Sequence, residues 1–427
     1  MNVLLLIAGM LLLVLIDVPI GVALGAVAVI AMAASEGTRT LPDIGLVLFD
    51  GATKFPLIAI PLFILAGAVM NSSGISRRLI ALASAIFGWV RGGLSMVTIG
   101  AALFFAEICG SAVAGVAALG SVLIPAMQRR GYPKEFAAAV TSSASTLAVF
   151  IPPSIPLILY GVMASTSVVE LFVAGILPGL LGGVLLMALA YATAVRRNYP
   201  VEEAFQLSNL WRRVKEAGWA LLLPVIVLGG IFSGFVTATE GAGLAVAASL
   251  FIGVFIYREL DRANLWEAMV QGGIQTAVVM LLVATSALLG EYLTSIQAPQ
   301  SVARAIIDLT DDRYLVLALL NVFFLLIGLF LHSAAAIILI VPIVMPLVNA
   351  VGIDPVHFGI IVTLNLGIGQ QTPPVASVLV TACSIAKADI WDVTKANLPF
   401  IGALTVVLLL VTYIPAIPLI LVDFFYR

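Results

Sequence analysis

The chain has 427 residues, of which 62% are hydrophobic and 10% charged, with a mean hydropathy of +1.19. That apolar content far exceeds what a water-soluble core needs and places the chain in a bilayer. A net charge of -2 offers no footprint for nucleic acid; two cysteines, Cys109 and Cys383, both inside apolar stretches, exclude a disulfide framework or zinc site, and two histidines, His332 and His357, are too few for a multi-histidine metal centre.

Crossing hydrocarbon takes about 20 apolar residues. In chain order the predicted spans are 3–16, 18–34, 44–70, 93–128, 135–163, 169–193, 216–233, 239–256, 272–296, 312–348, 355–386 and 397–424. The first has no basic stretch ahead of it and runs past Asp17 and Pro19 into the next, which predicts a retained helix rather than a cleaved signal peptide. The stretches 93–128 and 312–348 are too long for one crossing and too short for two. Each predicts a re-entrant helical hairpin whose tip stops inside the membrane.

One offset of 221 residues relates the two halves: Pro125 to Pro346, Gly131 to Gly352, Pro152 to Pro373 and Pro153 to Pro374. Each half therefore holds a hairpin, a Gly-led loop and a helix interrupted by Pro-Pro. Basic residues set the orientation, because cytoplasmic loops accumulate Lys and Arg. Arg77, Arg78, Arg91, Arg129, Arg130 and Lys134 flank the first hairpin, whereas Arg304 and Arg313 flank the second among Asp308, Asp311, Asp312 and Asp354. The hairpins thus enter from opposite sides, and the repeats are inverted. The predicted organisation is a first repeat over 1–193, a cytoplasmic linker over 194–215 and a second repeat over 216–427, in a bacterial inner membrane with both termini periplasmic.

The Pro-Pro breaks carry the chemistry. Proline lacks an N–H and clashes with the preceding turn, so Pro152-Pro153 frees carbonyls near residues 148–151. In a bilayer these need a partner: a bound sodium ion or a hairpin tip, or a Ser or Thr that merely mends a kink. Two breaks at equivalent positions favour the ion-site reading. The tips, Gly110 to Gly115 and Leu331 to Ala335, are small enough to approach them.

Glu107, three residues before the first tip, reads equally as a cation or proton ligand and as a partner for hairpin backbone. Asp17, Glu240 and Glu291 sit near span ends, where solvated or capping roles are expected. His332, alone at the second tip, fits a structural role at least as well as a substrate contact.

Pro61 to Gly67, the Gly110-Ser111 tip, Ile151-Pro152-Pro153-Ser154, Gly230 to Gly234 followed by Thr239-Glu240, and Thr372-Pro373-Pro374 give a further reading. Over essentially its whole length the chain resembles the large membrane subunit of tripartite ATP-independent periplasmic (TRAP) transporters. Two departures are Ala148 after the first Ser/Thr run and Ala376 after the second Pro-Pro, where glycine is expected. The resemblance implies sodium-driven uptake of a small organic acid, such as a dicarboxylate or sialic acid, by an elevator motion of a transport domain against a scaffold. It implies two partners, a separate small four-helix membrane subunit and a soluble periplasmic substrate-binding protein, and no cofactor beyond the coupling sodium. Carried onto this sequence, one sodium site uses Ser111, Val113, Ala148, Ile151 and Pro153, and the other uses Ser333, Ala334, Gly369, Thr372 and Pro374. Substrate is expected between them, reached by Ser142, Ser145, Asn365 and Gln370, with helix dipoles and hydroxyls in place of a Lys or Arg. The alternative is a stand-alone sodium–carboxylate symporter. No His-Glu-x-x-His, Gly-x-Ser-Gly or Gly-Asp motif supports an intramembrane enzyme, and paired re-entrant hairpins fit alternating access better than a channel.

Overall fold

The computed structural model describes residues 6, 9, 10, 12, 13, 16, 18–37, 41–201, 205–307, 310 and 312–427. Span 3–16 and Asp17 fall largely outside them, as does the side chain of Glu107. Among the described residues the regular structure is helical throughout, and nine helices are long and apolar enough to cross a membrane.

Both hairpins form where the sequence places them. The first runs Gly93–Cys109, turns through Gly110 and Ser111, and returns as Ala112–Arg129; the second runs Arg313–Phe330, turns through Leu331 and His332, and returns as Ser333–Ala350. Gly110 makes the first turn in the left-handed region (φ 56), which glycine adopts without Cβ strain. His332 takes the N-cap of the returning arm and accepts from the Ala334 N–H at 3.4 Å, so the structural reading of this histidine fits. The broken helices are Lys134–Thr146, then a single 3-10 turn, then Ile155–Met163, and Pro355–Gly369, then Ser377–Ala386. The peptide bonds Pro152–Pro153 and Pro373–Pro374 are both cis. Returning arms and first half-helices start at residues 112 and 134 in one repeat and 333 and 355 in the other, holding the 221-residue offset.

Four expected spans differ, the first being 216–233, which is the second part of Leu207–Phe232, so that residues 207–215 of the expected linker are helical. Stretch 44–70 is two helices, Leu41–Ala52 and Ala59–Ser72, because Pro56 interrupts the run within a 3-10 turn. Residues 272–296 are the second part of a 34-residue helix, Arg262–Ser295, started by the Asp261 cap. Stretch 397–424 divides into Ile390–Tyr413 and Ala416–Tyr426 at Pro415. Two amphipathic helices, Ile75–Phe87 and Ala298–Ile307, precede the hairpins; they fall between the expected spans because a one-sided apolar stripe never sustains a hydropathic window.

Contacts fix which elements share an end. At one end the Gly92 N–H donates to the Pro200 carbonyl at 3.2 Å, Tyr132 packs on Tyr199, and Lys134 reaches the Lys387 carbonyl. Arg78 stacks 3.7 Å over the Tyr257 ring and pairs with Glu259. At the other end Arg427 joins Asp354 and Glu170, and Tyr160 donates to the Pro355 carbonyl at 2.7 Å. The base of the first hairpin thus lies at the first end and the base of the second at the opposite end, as inverted repeats require. Partial burial pushes the Asp354 carboxyl up, but hydrogen bonds from Arg427 and from the His357 and Val356 N–H groups outweigh this and hold it below the usual carboxylate range.

The helices pack in two groups. Ile20–Glu36, Leu41–Ala52, Ala59–Ser72 and Ala238–Phe251 form one with the long helix Arg262–Ser295; the hairpins, the broken helices, Val168–Arg196 and Ile390–Tyr413 form the other. Glycine sets the closest approach within the second group. A Cβ on Gly369 would stand 2.5 Å from the Gly328 backbone. Gly369→Ala is therefore expected to wedge the second hairpin from its broken helix at a cost of about 1–3 kcal/mol. Gly402→Ala, with nothing within 4 Å of its added methyl, is expected to be neutral. Thermal unfolding of the two purified variants in detergent checks this.

Candidate site between the hairpins and the broken helices

Each break is closed by its own hairpin. The Gly110 carbonyl accepts from the Ile155 N–H at 3.4 Å, and the Pro153 carbonyl comes within 2.9 Å of where a Gly110 Cβ would stand. In the second repeat the Val375 N–H donates to the Leu329 carbonyl at 3.3 Å. The returning arms then cross over. Ala112–Arg129 packs on Ser377–Ala386, and Ser333–Ala350 packs on Ile155–Met163. Both hairpins are thereby held by both broken helices, and the two breaks lie back to back, with Thr146 and Val149 against Gly367.

Of the residues expected to hold sodium, Ala148 and Ile151 are buried at the first break, with Pro153 against the first tip. Ser111 is the N-cap of the returning arm, in extended backbone, and makes no side-chain cap bond; Val113 follows in its first turn. At the second break Gly369 touches Gly328, Thr372 Oγ1 donates to the Ile368 carbonyl at 3.2 Å, and Pro374 is exposed. The second hairpin meets its break through Gly328 and Leu329 of the incoming arm, while Ser333 and Ala334 lie buried on the returning arm that faces the other repeat. Part of the mending chemistry is present too. Ser154 Oγ donates to the Val149 carbonyl, and the Thr372 N–H donates to the Gly369 carbonyl at 2.9 Å. A carbonyl has two lone pairs, so neither bond removes the oxygen from use.

All four residues expected to reach substrate are buried, and three carry a polar atom with no hydrogen-bond partner among the described residues: Ser142 Oγ, Ser145 Oγ and Asn365 Oδ1. Such atoms cost free energy unless a ligand or water answers them. Ser145 packs against Gly115 of the first hairpin; Gln370 donates to the Leu366 carbonyl at 3.3 Å.

The sequence reading missed two buried networks. Ser143 lies 2.7 Å from Gln371 and 2.6 Å from Asn397, and Gln371 lies 2.9 Å from Asn397. Asn365 donates to Asn321 at 2.7 Å, and Asn321 donates to Thr412 at 3.1 Å. Asn321, Asn397 and Thr412 each stand inside an apolar span, the signal that marks interhelical hydrogen bonds in membranes. Glu240, by contrast, completes a capping box with Thr237 and is exposed, and Glu291 is exposed.

A cavity of about 230 Å³ lies where the two helix groups meet at the first hairpin, lined by Asn71, Ser72, Ala114, Glu267, Gln271 and Gln275 among others.

Residues 7–417 match the family described as the tripartite ATP-independent periplasmic transporter, DctM component. This chain belongs to that family. It is 43% identical over 405 residues to the isethionate TRAP transporter permease protein DctMQ of Oleidesulfovibrio alaskensis, covering 95% of this chain and 64% of that protein's length. It is 39% identical over 372 residues to the C4-dicarboxylate TRAP transporter large permease protein DctM of Pseudomonas aeruginosa, covering 87% of each. The fold is similar to that in the crystal structure of the Alcanivorax borkumensis YdaH transporter, with a TM-score of 0.63 at 16% identity over 90% of this chain and 89% of that one.

Stability and uptake are expected to respond differently at adjacent serines. Ser142→Ala removes an unpaired hydroxyl and is expected to leave the melting temperature unchanged while lowering uptake. Ser143→Ala strips a bonded hydroxyl from buried amides and is expected to cost about 1–3 kcal/mol. Unfolding and uptake measured on the same preparations test the pair.

Proposed function

We propose that this chain is the permease subunit of a sodium-driven TRAP transporter that imports a small organic anion. The observation that carries the proposal is the pair of helix breaks, each closed by hairpin backbone and set back to back around buried polar atoms that have no partner among the described residues. Interrupted helices of this kind put free carbonyls and helix ends beside a cargo ion and its co-substrate. The breaks bind sodium through backbone carbonyls with Ser111 and Thr372. The anion sits between them at Ser142, Ser145, Asn365 and Gln370, met by hydroxyls and amides rather than by a fixed cation.

The isethionate and C4-dicarboxylate relatives are named for small organic anions, which supports the substrate class. The fused DctMQ relative is longer than this chain, which fits a small four-helix membrane subunit working beside this one. A periplasmic binding protein delivers the substrate. The chain lies in the inner membrane with the arginine-rich ends of the first repeat in the cytoplasm and both termini in the periplasm. The group holding both hairpins moves as an elevator against the group around Arg262–Ser295, and the cavity at their junction is the cytoplasmic release path.

Uptake of labelled isethionate and of a labelled C4-dicarboxylate into proteoliposomes tests this, with the small subunit present and the sodium gradient and binding protein each varied. Uptake of either substrate that requires both supports the proposal. Uptake without the binding protein favours a stand-alone symporter, and uptake indifferent to sodium refutes the ion coupling. Thr372→Ala and Ser111→Ala are expected to raise the sodium needed for half-maximal uptake more than they lower protein level.

A further inference from the structure

Ser143, Gln371 and Asn397 are all fully buried where the two broken helices meet Ile390–Tyr413. Their three contacts, 2.7, 2.6 and 2.9 Å, need one proton each. If amide oxygens face Ser143 from both sides, its single hydroxyl proton must serve two oxygen–oxygen contacts, and one is left bare. Turning either amide alone sets like atoms against each other across the 2.9 Å contact. Turning both lets the Gln371 NH2 donate to Ser143 Oγ and to Asn397 Oδ1, and the Asn397 NH2 donate to Ser143 Oγ. Every contact then has its proton, and the hydroxyl accepts no more than its two lone pairs allow, its own proton being left without an acceptor among the described residues. An amide oxygen and nitrogen are interchangeable by such a turn, so the proton balance assigns them. The remaining amide atom of Gln371, which has no partner among the described residues, is then its carbonyl oxygen.

Packing does not require this trio. At the 221-residue offset the equivalent residues are Phe150, Leu364 and Ile176, all apolar. Burying three polar groups where apolar ones suffice costs free energy, and the second break is where that cost has a use. Thr372, the next residue, is in the break itself.

We propose that Gln371 supplies its side-chain carbonyl oxygen to the cation bound at the second break, with Ser143 and Asn397 as positioning residues that hold the amide oxygen outward. The proposal rests on the sodium-driven reading above. It makes the two ion sites unequal, because only the second gains a side-chain amide ligand.

The test uses sodium alone. The melting temperature of the purified chain is followed as sodium chloride replaces choline chloride at constant ionic strength, since a ligand that binds only the folded state raises it with concentration. Gln371→Leu is expected to raise the half-saturating sodium concentration about tenfold, the effect of losing one contact to a charged group. Gln371→Glu is expected to match or lower the wild-type value, because the carboxylate keeps an oxygen toward the cation and adds a negative charge, while the Ser143 hydroxyl turns to donate to it where the amide had donated to the hydroxyl. Should Gln371→Leu fail to fold, Gln371→Glu decides alone: a tenfold rise there means that an oxygen at this position is no ligand to the cation and overturns the proposal. A lower melting temperature in Gln371→Leu with an unmoved sodium midpoint makes the trio purely structural and also overturns it. A wild-type chain indifferent to sodium removes the underlying reading and the proposal with it, whereas a sodium-responsive wild type with an unmoved Gln371→Leu sinks the proposal only.

Discussion

A helix interrupted inside a membrane-spanning bundle leaves peptide groups that lipid cannot satisfy, and each such group costs several kcal/mol until something polar reaches it. Most of this architecture follows from meeting that demand twice. Pro152-Pro153 and Pro373-Pro374 stop the helical ladder; Gly110 and Leu329 bring hairpin backbone to the gaps. The hairpins need small residues at the meeting points, which accounts for Gly110 against Pro153 and Gly328 against Gly369. The returning arms then pack on the other repeat's half-helix, so neither break can open without disturbing both halves.

The periodic and punctuating features were legible in the sequence. A Pro-Pro pair recurring at a fixed offset, with glycine at 131 and 352 and a hairpin-length apolar stretch before each, states the duplicated topology, because proline and glycine act on the backbone locally. The asymmetry of arginine states the inversion, and contacts such as Gly92 with Pro200 at one end and Arg427 with Asp354 at the other agree with it. Features set by one-sided exposure were not legible. Helices Ile75–Phe87 and Ala298–Ile307 alternate polar and apolar faces and so fall between hydropathic windows. Pro56 was hidden within a long apolar run.

The site was legible in part, for a related reason. Ser142, Ser145 and Asn365 lie within a few residues of the breaks, so linear distance from Pro-Pro found them. Asn321, Asn397 and Thr412 reach the same region from helices remote in sequence, and only the packing of Ile390–Tyr413 and of the second hairpin against the broken helices brings them in. The backbone repeats while the side chains do not: Ala144 and Gly100 stand where the second half has Asn365 and Asn321. The two gaps are thus equivalent in backbone and differ in the side chains around them.

The central claim is that both breaks are ion-binding elements and not mended kinks. Amide hydrogen exchange of the protein in lipid nanodiscs, compared in sodium chloride and choline chloride, addresses it at the peptide groups concerned. The account predicts that sodium slows exchange in residues 147–155 and 369–378 together, while ordinary helix ends such as those near Arg196 and Ser233 exchange at the same rate in both salts. Equal exchange at the two breaks in sodium and choline would contradict it.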